Sequence, residues 1–228
     1  MISSILLHAR VDASYAVGCG GISGLGAAGH FGRSEWFVAE GDEYVTDPGR
    51  DATPRFLWMK PEILVVTNID FDHPDVYADI SAVQEAFRKL IGEQVGQQLT
   101  VVNIDDSASR PLLSGKKVLT YGFSPRADMH NQHAGAGAER MFFVVEYRGV
   151  VLGEFSLNVP GRHNVANATA AMIAANACGL DWATIRKGLL SFGGTTRRFE
   201  KVGEARNSLF YDDYAHHPRE IEATLAAA

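Results

Sequence analysis

The sequence predicts an α/β fold: a mostly parallel sheet flanked by helices, with a small antiparallel annex. Three observations lead to this. Apolar runs of strand length alternate with segments of helical period, the pattern of strands joined by crossover helices. The run Ile-Leu-Val-Val-Thr at residues 63–67 is apolar at consecutive positions, as a strand buried on both faces must be. The runs at 141–147 and 150–157 flank Arg148-Gly149, a two-residue connection that predicts a β-hairpin.

The elements follow in order. Residues 1–9 read as the tail of an amphipathic helix, with no capping group or turn before Met1. A short strand is expected near 14–17 and another at 35–39, followed by the buried run at 63–67. Residues 81–91 have helical spacing, with Val83, Phe87, Leu90 and Ile91 on one face. Strands are expected at 99–104 and 117–121. Residues 124–139 are polar, rich in Gly and Ala and aperiodic, and are expected to form a surface loop. Residues 164–178 are Ala-rich and strongly helical. A second helix covers 181–190, entered by Asp181 as its N-cap. Strands near 198–203 and 207–211 and a helix-like tail over 220–228 complete the order.

Bulk properties exclude several classes. The formal net charge is −6, and no basic run is longer than a pair, which argues against a general nucleic-acid or membrane-surface binder. No apolar run approaches the ~20 residues needed to span a bilayer. Cys19 and Cys178 form no CxxC pair, consistent with a reduced, cytoplasmic protein. With 228 residues, the chain can hold one large domain or one domain and part of another.

Glycine is concentrated at 18–32, and residues 24–29 match GxGxxG. A dinucleotide fingerprint requires a helix opening at the motif, whose N-terminus holds the pyrophosphate. Only residues 30–34 separate Gly29 from the next strand, so no crossover helix fits. The remaining readings are a loop between two strands, or a loop whose backbone closely approaches a bulky anionic ligand.

Five segments carry chemistry. Glu40, Asp42 and Glu43 follow the strand at 35–39 directly. They form either a solvated acidic turn or oxygen ligands for a hard cation such as Mg²⁺. Asn68, Asp70, Asp72 and His73 follow the next strand, and ligands of open α/β sheets gather at such strand ends. Asn164 and Asn167 lie three apart at the start of the Ala-rich helix, on one face. Their amides suit an adenine edge, while Asn164 could equally be the helix N-cap. Arg197 and Arg198 follow a Gly-Gly turn, and guanidinium groups match phosphate oxygens. Asp212, Asp213, Tyr214, His216 and His217 lie between the last strand and the last helix. His130 and His133 form an HxxH inside the expected loop, without a third ligand to support a metal.

Taken together and in this order, WFVAEGDE, TNIDFDHPDVY, PGRHNVANATAA, GTTRRFE and DDYAHHP resemble the Mur ligases, the ATP-dependent amide-forming enzymes of peptidoglycan synthesis. The ordered set spans residues 36–218. The resemblance implies a P-loop-type central ATP-binding domain over 1–200 and the start of an amino-acid-binding domain over 201–228. It implies ATP and Mg²⁺, with UDP-N-acetylmuramate and L-alanine as substrates, because DDYAHHP and RRFE resemble the alanine-adding branch. The branch that attaches a tripeptide to UDP-N-acetylmuramate carries an EGDEY-like segment and is the alternative, as is a non-catalytic nucleotide-binding module.

By the same resemblance, Glu40 would hold one Mg²⁺ and His73 a second near the γ-phosphate. His163, Asn164 and Asn167 would frame the adenine. Arg198 would contact the nucleotide phosphates, Asp213 the ribose, and His216 the neighbourhood of nucleotide and amino acid. Two departures stand out. The Gly-Lys-Thr/Ser of the family's P-loop does not occur in these residues. The resemblance places it just upstream of a helix like that of 1–8, with a UDP-sugar domain before it, so the fragment is expected to be inactive alone. The lysine that some relatives carbamylate aligns near Phe87, and its absence agrees with the alanine-adding branch.

Overall fold

The computed structural model describes residues 1–93, 99–113, 118–136 and 140–228. Along the chain run α1 (Ile2–His8), β1 (Ser14–Ala16), β2 (Gly29–His30), β3 (Phe37–Ala39), β4 (Val45–Asp47), β5 (Asp51–Pro54), β6 (Ile63–Val66), α2 (Ile80–Glu93), β7 (Leu99–Asn103) and β8 (Val118–Gly122). They are followed by β9 (Met129–Ala136), β10 (Met141–Tyr147), β11 (Val150–Leu157), α3 (Arg162–Ala177), α4 (Trp182–Leu190), β12 (Glu200–Ala205), β13 (Ser208–Asp212) and α5 (Pro218–Leu225). The chain forms two compact units. One comprises Met1–Ala39, Gln132–Val145 and Val151–Ala228; the other comprises Glu40–Asn131 and Glu146–Val150.

In the second unit β6, β7 and β8 are parallel neighbours, with Val65 opposite Val101 and Val101 opposite Leu119. Val101 and Val102 are fully buried. Helix α2 covers this sheet because its apolar residues recur on one face: Val83, Leu90 and Ile91 are buried, and Phe87 packs on Phe56 with ring centroids 5.1 Å apart. Hairpin β4–β5, with Val45 opposite Pro54, was not visible in the sequence, because its Thr, Asp and Pro residues mask a strand pattern.

The expected loop at 124–139 is corrected: residues 129–136 form β9. Tyr121 pairs with Met129 and Gly122 with His130, in parallel. Met129 and Asn131 are buried at alternate positions. The polar inward Asn131 hides the period-2 signal, and pairing to a neighbouring strand supplies what composition did not. Both histidines of HxxH lie in this strand; residues 137–139 are outside the described set, as is Lys117 of the strand expected at 117–121. Asp128 anchors the entry to β9. Its carboxylate accepts from the Thr120 N–H and hydroxyl, each at 2.9 Å, and from Arg148 Nε at 3.0 Å. The β10–β11 connection is a tight turn with positive φ at Arg148 (48°) and Gly149 (85°), as two-residue hairpins require.

In the first unit β1 is central, antiparallel to β2 and parallel to β3. No helix opens after the glycine motif, as the spacing predicted; β2, which the sequence did not predict, begins on its last residue, Gly29. Helix α3 is buried around most of its circumference, from Val165 to Ala175. Its N-cap is Gly161 at φ 97°, not Asn164, which sits inside the first turn. Gly161 takes that place because the backbone enters the helix at a positive φ that a side chain disfavours. Asp181 caps α4 as expected, accepting the Thr184 N–H at 2.8 Å. The last two strands form a hairpin closed by Arg206 and Asn207 at positive φ. Among the described residues no helix is long and apolar enough to cross a membrane.

Helices α1 and α4 approach closely at Gly188, where an added Cβ would lie 2.9 Å from Ile5 Cα. Backbone cannot yield as a side chain can. Gly188→Val is therefore expected to cost about 1–3 kcal/mol, the usual penalty for overpacking, read as a lower urea midpoint. An unchanged midpoint would show that the helices do not meet there.

Candidate functional site

The carboxylate-rich segment after β3 has divided its groups between structure and solvent. Glu40 is exposed. Asp42 accepts the Tyr44 N–H at 2.8 Å and pairs with Arg55 at 2.5 Å, so it shapes the turn. Glu43 Oε1 lies 3.4 Å from His73 Nε2, making Glu43, rather than Glu40, the carboxylate paired with His73. The Tyr44 ring packs against the His73 ring at 4.7 Å, and its hydroxyl donates to Asp75 at 2.8 Å, which raises its pKa. The Tyr77 hydroxyl donates to the Glu43 carbonyl at 2.6 Å; burial pushes its pKa up to about 12, so it stays a donor. The roles of Glu43 and Tyr44 as His73's neighbours were missed in the sequence, although the spacing Glu40-x-x-Glu43-Tyr44 carried the signal.

The loop after β6 is held by its own carboxylates and by one from β7's end. Asp72 accepts the His73 N–H at 2.7 Å, and Asp70 accepts the Phe71 N–H at 2.9 Å. Buried Asp106 accepts the Ile69 N–H at 3.0 Å. His73 itself adopts φ 57°, uncommon for a non-glycine residue. Among the described residues no three His, Cys, Asp or Glu groups cluster closely enough to form a metal cage. A cavity of about 650 Å³ opens between hairpin β4–β5 and α2, lined by Tyr44, Val45, Leu57, Asp75, Val76 and Lys89 among others. Of the residues given a role from the sequence, none lines it.

The remaining candidates lie in the first unit, around the start of α3. The His163 ring covers Gly161, and a Cβ on that glycine would lie 2.5 Å from the ring. Asn164 Nδ2 donates to the Pro160 carbonyl at 2.6 Å, tying the incoming loop to the helix. Asn167 lies one turn further on, half-buried. The pKa of His163 is lowered, first by desolvation; Asp213 opposes this shift and Arg198 adds to it, which places both charges near the imidazole.

Asp213 is committed to the backbone: Oδ2 accepts the Phe199 N–H at 2.7 Å, and Oδ1 accepts the Ala215 N–H at 2.8 Å. Arg198 reaches Glu220 at 3.6 Å and lies over the Tyr214 ring at 5.9 Å, with Arg197 over the same ring at 4.8 Å. The His216 ring sits beside the Tyr214 carbonyl at 3.0 Å and 3.7 Å from Glu220. The structure thus groups His163, Arg198, Asp213 and, through Glu220, His216. Glu40 and His73 belong to the other unit. Glu220 was missed as an organiser of the cluster, since nothing local distinguishes it from surface residues, and Tyr214, though singled out, was given no role.

Comparison with known proteins gives this arrangement its context. Residues 45–175 match the model of the Mur ligase middle domain. The UDP-N-acetylmuramate–L-alanine ligase of Geotalea uraniireducens is 36% identical over 230 residues, covering 100% of this chain and 48% of the relative. That of Agrobacterium fabrum is 39% identical over 237 residues, again covering 100% and 48%. The chain thus spans about half the length of the curated relatives it matches. The crystal structure of UDP-N-acetylmuramate-alanine ligase from Thermotoga maritima superposes with a TM-score of 0.80 at 27% identity, covering 99% of this chain and 49% of that one. The UDP-N-acetylmuramate:L-alanyl-gamma-D-glutamyl-meso-diaminopimelate ligase of Neisseria meningitides gives 0.75 at 26%, covering 86% and 62%. With more than half of its residues under one family model, the chain belongs to the Mur ligase family, whose middle domain it carries.

Proposed function

We propose that this chain is the nucleotide-handling part of a cytoplasmic ATP-dependent ligase that joins L-alanine to UDP-N-acetylmuramate. The observation that carries this reading is the match of the whole of this chain to alanine-adding relatives, together with Asp213 holding the turn that carries Arg198. In this reading residues 1–200 form the central domain, and 201–228 begin the domain that recruits the amino acid.

The reaction is acyl activation. The γ-phosphoryl group of ATP passes to the lactyl carboxylate of UDP-N-acetylmuramate, giving an acyl phosphate and ADP. The alanine amine attacks the acyl carbon, and inorganic phosphate leaves. Such transfer needs positioning and charge neutralisation rather than a protein nucleophile. Arg198 supplies a guanidinium for phosphate oxygens. His163, whose pKa is lowered by desolvation so that the neutral ring is favoured, offers a flat face and ring nitrogens to the base, beside the amides of Asn164 and Asn167. Asp213 positions the segment around Arg198 and still has oxygen lone pairs for a ribose hydroxyl. His216 is held at the entrance to α5 beside the Tyr214 carbonyl and Glu220, and by the family resemblance would lie near the nucleotide and the incoming amino acid.

Mg²⁺ fits the donor set in the second unit, where exposed Glu40 and half-buried Glu43 follow β3 and half-buried His73 follows β6. The lack of a three-ligand cage does not count against it, since Mg²⁺ usually keeps several waters and shares one or two carboxylates with substrate phosphates. Glu40 would hold one Mg²⁺ and His73 would help hold a second, and the ions would supply charge neutralisation for the nucleotide phosphates.

A second reading, attachment of a tripeptide instead of alanine, is favoured by the Glu40–Tyr44 segment and the Neisseria likeness. The full-length protein is expected to release phosphate from ATP only with UDP-N-acetylmuramate and L-alanine both present, and residues 1–228 alone are expected to release none. Release with the tripeptide in place of alanine would select the second reading, and release by neither would remove both.

Asn164→Ala and Asn167→Ala are each expected to weaken ATP binding by the full-length protein roughly tenfold, the scale of a lost amide pair. Calorimetric titration with unchanged affinity in both would remove the adenine assignment.

The His163 ring is expected to titrate below its ordinary 6.5 in NMR spectra, rising with Arg198→Ala and falling further with Asp213→Asn. Its folded-state value lies below its unfolded one. This imidazole therefore leaves stability intact above pH 6.5 and lowers it as pH falls below that value. A midpoint insensitive to both substitutions would show that the two charges are not its neighbours.

A further inference from the structure

The glycine-rich segment has no place in the function above, yet it is fastened to the segment that carries Arg198. Ile22 and Gly26 exchange backbone hydrogen bonds at 2.9 and 2.8 Å, closing a small loop in which Gly24 and Gly26 adopt φ 82° and 92°. Ile22 is buried against Tyr15 and Phe192. The outer side of the loop then meets residues 194–196. The Thr196 N–H donates to the Gly21 carbonyl at 3.0 Å, and the Ser23 N–H donates to the Gly194 carbonyl at 3.0 Å. Ile22 and Thr195 form an antiparallel bridge between these bonds.

The approach is too close for side chains. A Cβ on Gly20 would lie 2.7 Å from Thr196 Oγ1, and one on Gly193 would lie 2.5 Å from Ser23 Oγ. Glycine on both strands is what lets the two backbones meet.

Downstream, the chain turns sharply: the Arg198 N–H donates to the Thr195 carbonyl at 3.2 Å. Arg197 and Phe199, on either side of Arg198, both have positive φ, 58° and 49°. For a bulky residue such as Phe199 this is a strained conformation, kept only where its surroundings over-determine it. The restraints are on both sides. Glu200 accepts the Arg197 N–H at 2.8 Å, Asp213 accepts the Phe199 N–H, and the Tyr214 N–H donates to the Arg197 carbonyl at 2.7 Å. The glycine loop supplies the upstream anchor.

We propose that the glycine-rich loop at 18–26 is a positioning element for Arg198, clasping residues 194–196 through Gly20, Gly21 and Gly193 so that the strained turn presents its guanidinium to the nucleotide phosphates. The loop touches no nucleotide itself; it acts through the arginine. The inference rests on the reading of Arg198 as a phosphate contact.

The test uses the full-length protein and compares affinity for ATP with affinity for adenosine, which has the base and ribose but no phosphate. Gly20→Ala is expected to weaken ATP binding roughly tenfold, the loss of one charge-assisted contact, while leaving adenosine affinity unchanged. Adding Thr196→Ala removes the obstructing Oγ1 and is expected to restore ATP affinity to the level of Thr196→Ala alone. A general loss of structure would weaken both ligands and would not be rescued. If Gly20→Ala does not fold, Gly193→Ala with its relieving partner Ser23→Gly asks the same question from the opposite strand. Unchanged ATP affinity, equal loss of both ligands, or absence of rescue overturns the proposal. Arg198→Ala separates the two levels. If it weakens ATP binding while the glycine variants do not, the clasp alone is wrong; if it leaves ATP affinity unchanged, the phosphate reading and the clasp built on it both fall.

Discussion

The first unit's cluster depends on one carboxylate. Asp213 gives one oxygen to the Phe199 N–H and the other to the Ala215 N–H, binding the start of β12 to the residues after β13. An ionised carboxylate accepting backbone N–H groups forms bonds stronger than neutral ones. Here they hold a turn that the residues themselves disfavour. With that turn in place Arg197 and Arg198 both reach the Tyr214 ring, Arg198 reaches Glu220, and His163 has an arginine and an aspartate as its charged neighbours. Without it, the backbone around Arg198 would relax toward ordinary φ values and the cluster would lose its geometry.

The second unit repeats the device. Asp106 fastens the loop after β6, Asp105 accepts the Phe123 and Ser124 N–H groups after β8, and Asp128 fastens the entry to β9. Several of the carboxylates at the strand ends are therefore committed to backbone N–H groups and are poor candidates for chemistry. Asp42 is spent in the same way on Tyr44 and Arg55. The carboxylate facing His73 is Glu43, and the aromatic rings of Tyr44 and His73 orient one another.

Much of this was legible. The strand at 63–66, the amphipathic face of α2, the Asp181 cap and the turn at Arg148-Gly149 each follow from residues within one helical turn or one strand of each other, although β6 lies at the sheet edge and only its Val66 is buried. The rejection of the dinucleotide motif followed from spacing alone. The family was legible because the ordered motifs are specific in combination, although none is so singly. Asn164 was ambiguous between cap and ligand contact; the structure gives the cap to Gly161 and binds the Asn164 amide to the Pro160 carbonyl. Strand β9 was not legible, because its Asn and Gly residues carry no alternation and its existence depends on a neighbouring strand.

By itself the sequence determined the α/β class, most of the helices, the hairpin at 141–157 and the family, because periodicity, capping and turn formation are local properties of a chain. Only the tertiary structure decided where each polar group is spent: Asp213 on two backbone N–H groups, Glu43 on His73, and the glycines at 20 and 21 on a clasp with Thr196. These partners lie far apart along the chain, and no local pattern encodes which donor a carboxylate will find or which backbone a glycine will admit. Packing settles that, since each buried or strained polar group must be satisfied by whatever the fold brings within hydrogen-bonding distance.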